Sequence, residues 1–272
     1  MPSSAVGFAP SGDAMIAWES AGEGRAVVFV HAGIADRRMW RHQLAAVPDG
    51  FLFVSLDMRG HGDTNLTDER FSNHEDVLAV IDHLDIFQTV AVGCSMGGGT
   101  AIDLALTAPH RIDGLVLVGA SSPGFDPDDY EPPQWPEILK AYEAGDMDRV
   151  AALDAEVWVV GHGRERAEVD EEVIAEMIEM DLIILPQEER RDELLVSIDP
   201  PRAERMDAID EPVLVVVGEH DLPDVHQSGR HLADTLSHHQ VVVIPEAAHL
   251  PSLEQPEAFN QALFGFLQGF SV

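Results

Sequence analysis

With one cysteine in 272 residues, no intrachain disulfide can form, and nothing in the composition calls for an oxidising compartment. Basic residues are scarce too: 16 Lys and Arg, of which Lys140 is the only lysine, stand against 49 Asp and Glu, a formal net charge of −33. So acidic a surface repels nucleic acid and anionic membranes, which excludes both as expected partners. No window approaches the roughly 18 uninterrupted apolar residues of a membrane span. The stretch from Met1 to Gly7 has neither a basic region nor a long apolar run, which argues against a signal peptide. These absences predict a cytoplasmic protein. Internal repeats and low-complexity linkers are missing as well.

The acid excess has two readings. Adaptation to high salt is one, since screening over about 3 Å at 1 M relieves the self-repulsion of many carboxylates. An acid-rich, arginine-favouring proteome in ordinary salt is the other. Hydrophobic residues make up 45% of the chain, enough to bury a substantial core.

Short apolar runs at 26–30, 51–56, 90–92, 115–118, 213–217 and 241–244 are separated by helix-length segments. Their hydrophobicity is continuous rather than alternating, which suits strands covered on both faces in a parallel α/β sheet. Residues 14–18, followed by Gly22-Glu23-Gly24, predict an antiparallel edge hairpin feeding the first parallel strand. The rhythm stops between Ser121 and about Met206. Five prolines between Pro123 and Pro136 open this region, and apolar residues at helical spacing over 137–144, 146–160, 170–185 and 188–196 predict four helices. Asp146 and Asp170 are their expected N-caps. The chain thus divides into a sheet portion over 1–120 and 207–272 and an inserted helical cap over 121–206.

The run Val90-Ala91-Val92-Gly93-Cys94-Ser95-Met96-Gly97-Gly98 carries a G-x-S-x-G motif between a strand and a helix-capable stretch. Alone the pentapeptide is weak, appearing by chance in about one chain in ten of this length. In this setting it is a nucleophile elbow. The turn displays Ser95 at a helix N-terminus, with the Met96 N–H free to donate to an oxyanion. Cys94 precedes the nucleophile and belongs to the strand end, where it reads as a small buried hydrophobe.

A serine nucleophile needs a base, and the base needs an acid that fixes its tautomer. His249 follows the last apolar run and Asp221 the one before it, giving the chain order Ser95, Asp221, His249. Glu219 and Asp224 are rivals for the acid. Among the 13 histidines, His31 reads as a structural hydrogen-bonding residue, His61 as support for a turn near the elbow, and His238 and His239 as solvated.

His31-Ala32-Gly33, Asp57-Met58-Arg59-Gly60-His61-Gly62, Gly93-Cys94-Ser95-Met96-Gly97-Gly98, Gly218-Glu219-His220-Asp221 and Ala248-His249 together resemble the α/β-hydrolase family across essentially the whole chain. The likeness is to its capped group, which includes 3-oxoadipate enol-lactonases and small carboxylesterases. The resemblance implies a mostly parallel eight-stranded sheet flanked by helices, with no cofactor and no metal. It implies a second oxyanion donor at Gly33, although Ala32 stands where the family has glycine and leaves Ile34 as an alternative. Ile34 and Trp158 are candidate walls of the substrate pocket, whereas Met147, Met177, Met180 and Trp135 read more readily as packing.

The expected activity is hydrolysis of a small neutral carboxylic ester or lactone through an acyl-enzyme. Met96-Gly97-Gly98-Gly99 also resembles cofactor-free haloperoxidases and perhydrolases, which use the same triad; the long cap favours the esterase or lactonase side. A non-catalytic ligand receptor on the same fold is a third reading. The acidic surface counts against a polyanionic substrate such as 3-oxoadipate enol-lactone itself. A homodimer is left open.

Overall fold

Six short apolar runs form six of the strands, and the five inner ones are shielded on both faces, which continuous hydrophobicity suits. In the computed structural model, which describes residues 4–127 and 130–270, two N-terminal strands, β1 (Ser4–Ser11) and β2 (Ala14–Gly22), precede them. The six are β3 (Arg25–Val30), β4 (Phe51–Leu56), β5 (Thr89–Cys94), β6 (Ile112–Val118), β7 (Val213–Gly218) and β8 (His239–Ile244). Met1 to Ser3, at the start of the N-terminal stretch read above, lie outside the described residues.

The sheet has eight strands in the order β1-β2-β4-β3-β5-β6-β7-β8. All neighbours from β4 to β8 run parallel, while β1–β2 and β2–β4 are antiparallel. The edge hairpin is present, but its turn is Gly12-Asp13, not the glycines at 22 and 24, and its outer arm is β1. The chain leaves β2 for β3, yet β2 pairs with β4. β8 also departs from expectation: Val241 and Val243 are 47% and 51% exposed, because an end strand leaves one face partly uncovered.

Helices α1 (Arg41–Ala45), α2 (Asn73–His83) and α3 (Met96–Thr107) lie in the first half of the sheet portion. Between β6 and β7 come α4 (Trp135–Glu143), α5 (Met147–Ala155), α6 (Glu171–Ile184) and α7 (Glu188–Leu194), with no strand among the described residues there. α8 (Pro223–Thr235), α9 (Pro251–Glu254) and α10 (Pro256–Leu267) complete the chain. One apolar cluster, with Phe29, Trp40, Phe53 and Phe259, covers one face of the sheet. A second, with Val28, Val54, Val77 and Ile102, covers the other.

Two of the inserted helices, α5 and α6, start where their caps put them. Asp146 accepts the Arg149 N–H and Asp170 the Glu172 N–H, each satisfying a first-turn donor that has no partner within the helix. α5 continues into a π-helical turn over Glu156–Val160, which contains Trp158. Two backbone bonds tie this region to the loops after β7 and β8: His249 N–H to Trp158 O at 3.0 Å, and His162 N–H to His220 O at 2.7 Å. Among the described residues no helix is long and apolar enough to cross a membrane.

Candidate active site

β5 ends at Cys94 and α3 begins at Met96, so the chain must reverse at Ser95 alone. It does so with φ 51° and ψ −112°, a left-handed conformation that side-chain-bearing residues rarely adopt. The flanking glycines make room. A Cβ on Gly93 would lie 2.0 Å from Gly97 O, and one on Gly97 would lie 2.2 Å from Val30 O. The Ser95 N–H donates to Val118 O at 2.8 Å, which anchors the turn to the neighbouring strand. Met96 opens α3, so its N–H has no acceptor within the helix.

His249 and Asp221 lie in the loops after β8 and β7 and are 4% and 3% exposed. His249 Nδ1 is 2.9 Å from Asp221 Oδ2 and 3.1 Å from Oδ1, so Nδ1 carries the proton and Nε2 is left to act as a base. Of the three carboxylates weighed from the sequence, Asp221 is the one at the ring; Glu219 binds the Glu246 N–H instead. Burial alone would lower the His249 pKa, but the Asp221 charge and hydrogen bond, with Glu254 and Asp224 behind them, raise it above the usual value. The Trp158 ring lies 4.6 Å from the imidazole, centroid to centroid.

The support around His249 comes from residues that no local pattern singles out. Glu254 accepts the N–H groups of Ala248 and Leu250, the residues on either side of it, at 2.9 and 3.0 Å. Arg164 pairs with Glu254 at 2.9 Å, and both side chains are almost fully buried. Cys94 donates its thiol to His249 O at 3.4 Å and is fully buried, which pushes its pKa well up and keeps it protonated.

His31 accepts the Met58 N–H on Nε2 and donates from Nδ1 to Ala32 O; burial lowers its pKa to about 4. His61 Nε2 lies 3.0 Å from Gly33 O. Both therefore brace the loop that carries Gly33, as structural residues. A Cβ on Gly33 would meet nothing within 4 Å, so the space beside it is open.

Two cavities of about 370 and 390 Å³ meet at Ser95, Met96, Trp158 and His249. The first runs past Asn73, Asp103, Arg202 and Asp224. The second lies under the inserted helices and is bordered by Gly33, Ile34, Trp135 and Leu139. Every residue singled out for catalysis, oxyanion binding or substrate contact, apart from Asp221, thus lines one or both. Met177 and Met180 are buried in the sheet-face cluster, and His238 and His239 are exposed.

Residues 27–262 match the sequence model of the alpha/beta hydrolase family. The chain is 28% identical over 252 residues to 3-oxoadipate enol-lactonase 2 of Acinetobacter baylyi, covering 90% of each sequence. It is 24% identical over 259 residues to carboxylesterase YbfK of Bacillus subtilis, covering 89% of this chain and 80% of that one. The solved bromoperoxidase of Bacillus anthracis superposes with a TM-score of 0.81 over 97% of this chain and 100% of its own, a likeness of fold alone at 20% identity.

Proposed function

Since the chain belongs to the alpha/beta hydrolase family, we propose that it is a serine hydrolase that cleaves small carboxylic esters or lactones through an acyl-enzyme. One observation carries the reading. Ser95, on a strained turn, and His249, held at 2.9 Å by Asp221, border the same two cavities. In the proposed reaction His249 Nε2 takes the Ser95 proton as Oγ adds to the carbonyl carbon, and the Met96 and Gly33 N–H groups hold the resulting oxyanion. Collapse of the tetrahedral adduct expels the alkoxide, which takes the proton from His249. A water molecule then repeats the sequence on the acyl-enzyme and frees the acid. Asp221 keeps the imidazole in the tautomer this needs and stabilises its charged form. No metal or organic cofactor enters these steps.

The enol-lactonase and carboxylesterase relatives support acyl chemistry at this serine, and the acid-rich surface favours a substrate without negative charge. The test is turnover of 4-nitrophenyl esters of increasing chain length beside a lactone panel. Ser95→Ala is expected to abolish turnover in a folded protein; full activity in that variant would overturn the assignment. Halide oxidation with peroxide and acetate, measured on the same samples, separates the perhydrolase reading. Tight ligand binding without turnover would point to a receptor.

A further inference from the structure

The cavity under the inserted helices is bordered by three acidic side chains: Asp154 of α5, Asp181 of α6 and Glu188 at the start of α7. No lysine or arginine borders it among the described residues, and the one basic group there is the imidazole of His249. Asp181 is 1% exposed, yet its Oδ2 receives no hydrogen bond from any N–H or hydroxyl of the protein. The Asp154 side chain lies within hydrogen-bonding reach of the Asp181 carboxyl group, a contact that two carboxyls can make only by keeping a proton between them. Burial raises both groups above the usual carboxylate range, and the adjoining Asp154 charge raises Asp181 further.

Buried carboxyls facing a cavity that no lysine or arginine enters are a costly arrangement, which well-packed apolar residues would avoid. Aromatic faces stand beside them: Trp135, Tyr142 and Trp158 border the same cavity, and such faces attract cations. Gly33 and Ile34 border this cavity and not the other, so the proposed oxyanion site opens into it on that side. We infer that Asp154 and Asp181 form a subsite for a protonated amine, so that the substrate is an ester or lactone whose acyl chain ends in an ammonium group. The inference rests on the acyl-transfer reading above and refines it from a substrate without negative charge to one with a positive charge.

Two measurements test it. In the first, hexylammonium and hexanol are titrated into the protein and followed by calorimetry, which needs no turnover. Hexylammonium is expected to bind at least tenfold more tightly. In the second, kcat/KM is compared for ethyl 6-aminohexanoate, ethyl heptanoate and monoethyl pimelate, which differ only in an ammonium, methyl or carboxylate end. The ammonium ester is expected to lead by tenfold or more, with the carboxylate last. Asp181→Asn and Asp154→Asn should each bring the ammonium-to-methyl ratio towards one. A dyad that merely joined α5 to α6 would lower the melting temperature in these variants and leave that ratio alone. Equal binding of hexanol, or a preference that survives both substitutions, overturns the subsite. If no ester is turned over, the hydrolase reading fails, and the calorimetric comparison still decides the subsite.

Discussion

The loops at the ends of β7 and β8 and the helices folded over them treat buried carboxylates in opposite ways. Around His249 the carboxylates are matched to donors: Asp221 meets the ring N–H and the Leu222 N–H, and Glu254 meets Arg164 and two backbone N–H groups. Between α5 and α6, Asp154 and Asp181 have each other, and Asp181 Oδ2 has no protein donor. A matched network fixes geometry, which a reaction with a defined trajectory requires. An unmatched pair at a cavity wall leaves bonding capacity for something that is not part of the chain. On the proposed reading, the sheet's loops carry the chemistry and the inserted helices the choice of substrate.

Asp221→Asn strikes the matched side hardest. By removing the acceptor that fixes the His249 tautomer, it is expected to lower kcat on the order of 10⁴-fold for every ester alike, with the fold retained. The same variant carries the pH test. In the proposed mechanism the neutral ring is the base, and its pKa is raised above the usual 6.5 chiefly by Asp221 acting against burial, so activity of the native chain should fall with acid through a midpoint above 6.5. Residual activity in Asp221→Asn should show that midpoint shifted to lower pH. An unmoved midpoint would separate Asp221 from the base.

Glu254→Gln keeps the shape but loses the charge opposite Arg164 and one acceptor of the pair that straddles His249. A kcat loss of roughly 10- to 100-fold is expected, again uniform across substrates, with KM little affected. A loss confined to long-chain esters would blur the division between loops and helices. Leu139, half-exposed on α4 and bordering the inner cavity, tests the opposite side. Leu139→Ala should change KM several-fold for long acyl chains and much less for acetate esters, at a stability cost within about 0.5 kcal/mol.

The smallest expected effect concerns the surface. With a net charge of −33, the melting temperature should rise by several degrees between low and molar salt if screened self-repulsion is what high salt relieves. A melting temperature indifferent to salt would remove adaptation to high salt as the reason for the acid excess.

Residues whose placement is set by immediate neighbours were legible in the sequence. Ser95 could be read because the strand, the glycines and the helix that strain it are contiguous, and His249 and Asp221 because each follows an apolar strand directly. Asp146 and Asp170 could be read as caps for the same reason. β1 was not read, since its short, mostly exposed apolar stretch is interrupted by Gly7, and β8 was read as buried because an end strand can be as apolar as a central one. Contacts between distant segments left no local trace. Arg164 and Glu254 are 90 positions apart, and Asp154 and Asp181 are two of 49 acidic residues that only the packing of α5 on α6 brings together.

The nucleophile itself is open to a direct measurement, intact-mass and peptide analysis after brief exposure to a fluorophosphonate. One adduct per chain, on the peptide that contains Ser95 and absent from Ser95→Ala, is the expected result. A folded chain that takes up no label, or takes it on Cys94 or elsewhere, would contradict the assignment of the chemistry to the turn between β5 and α3.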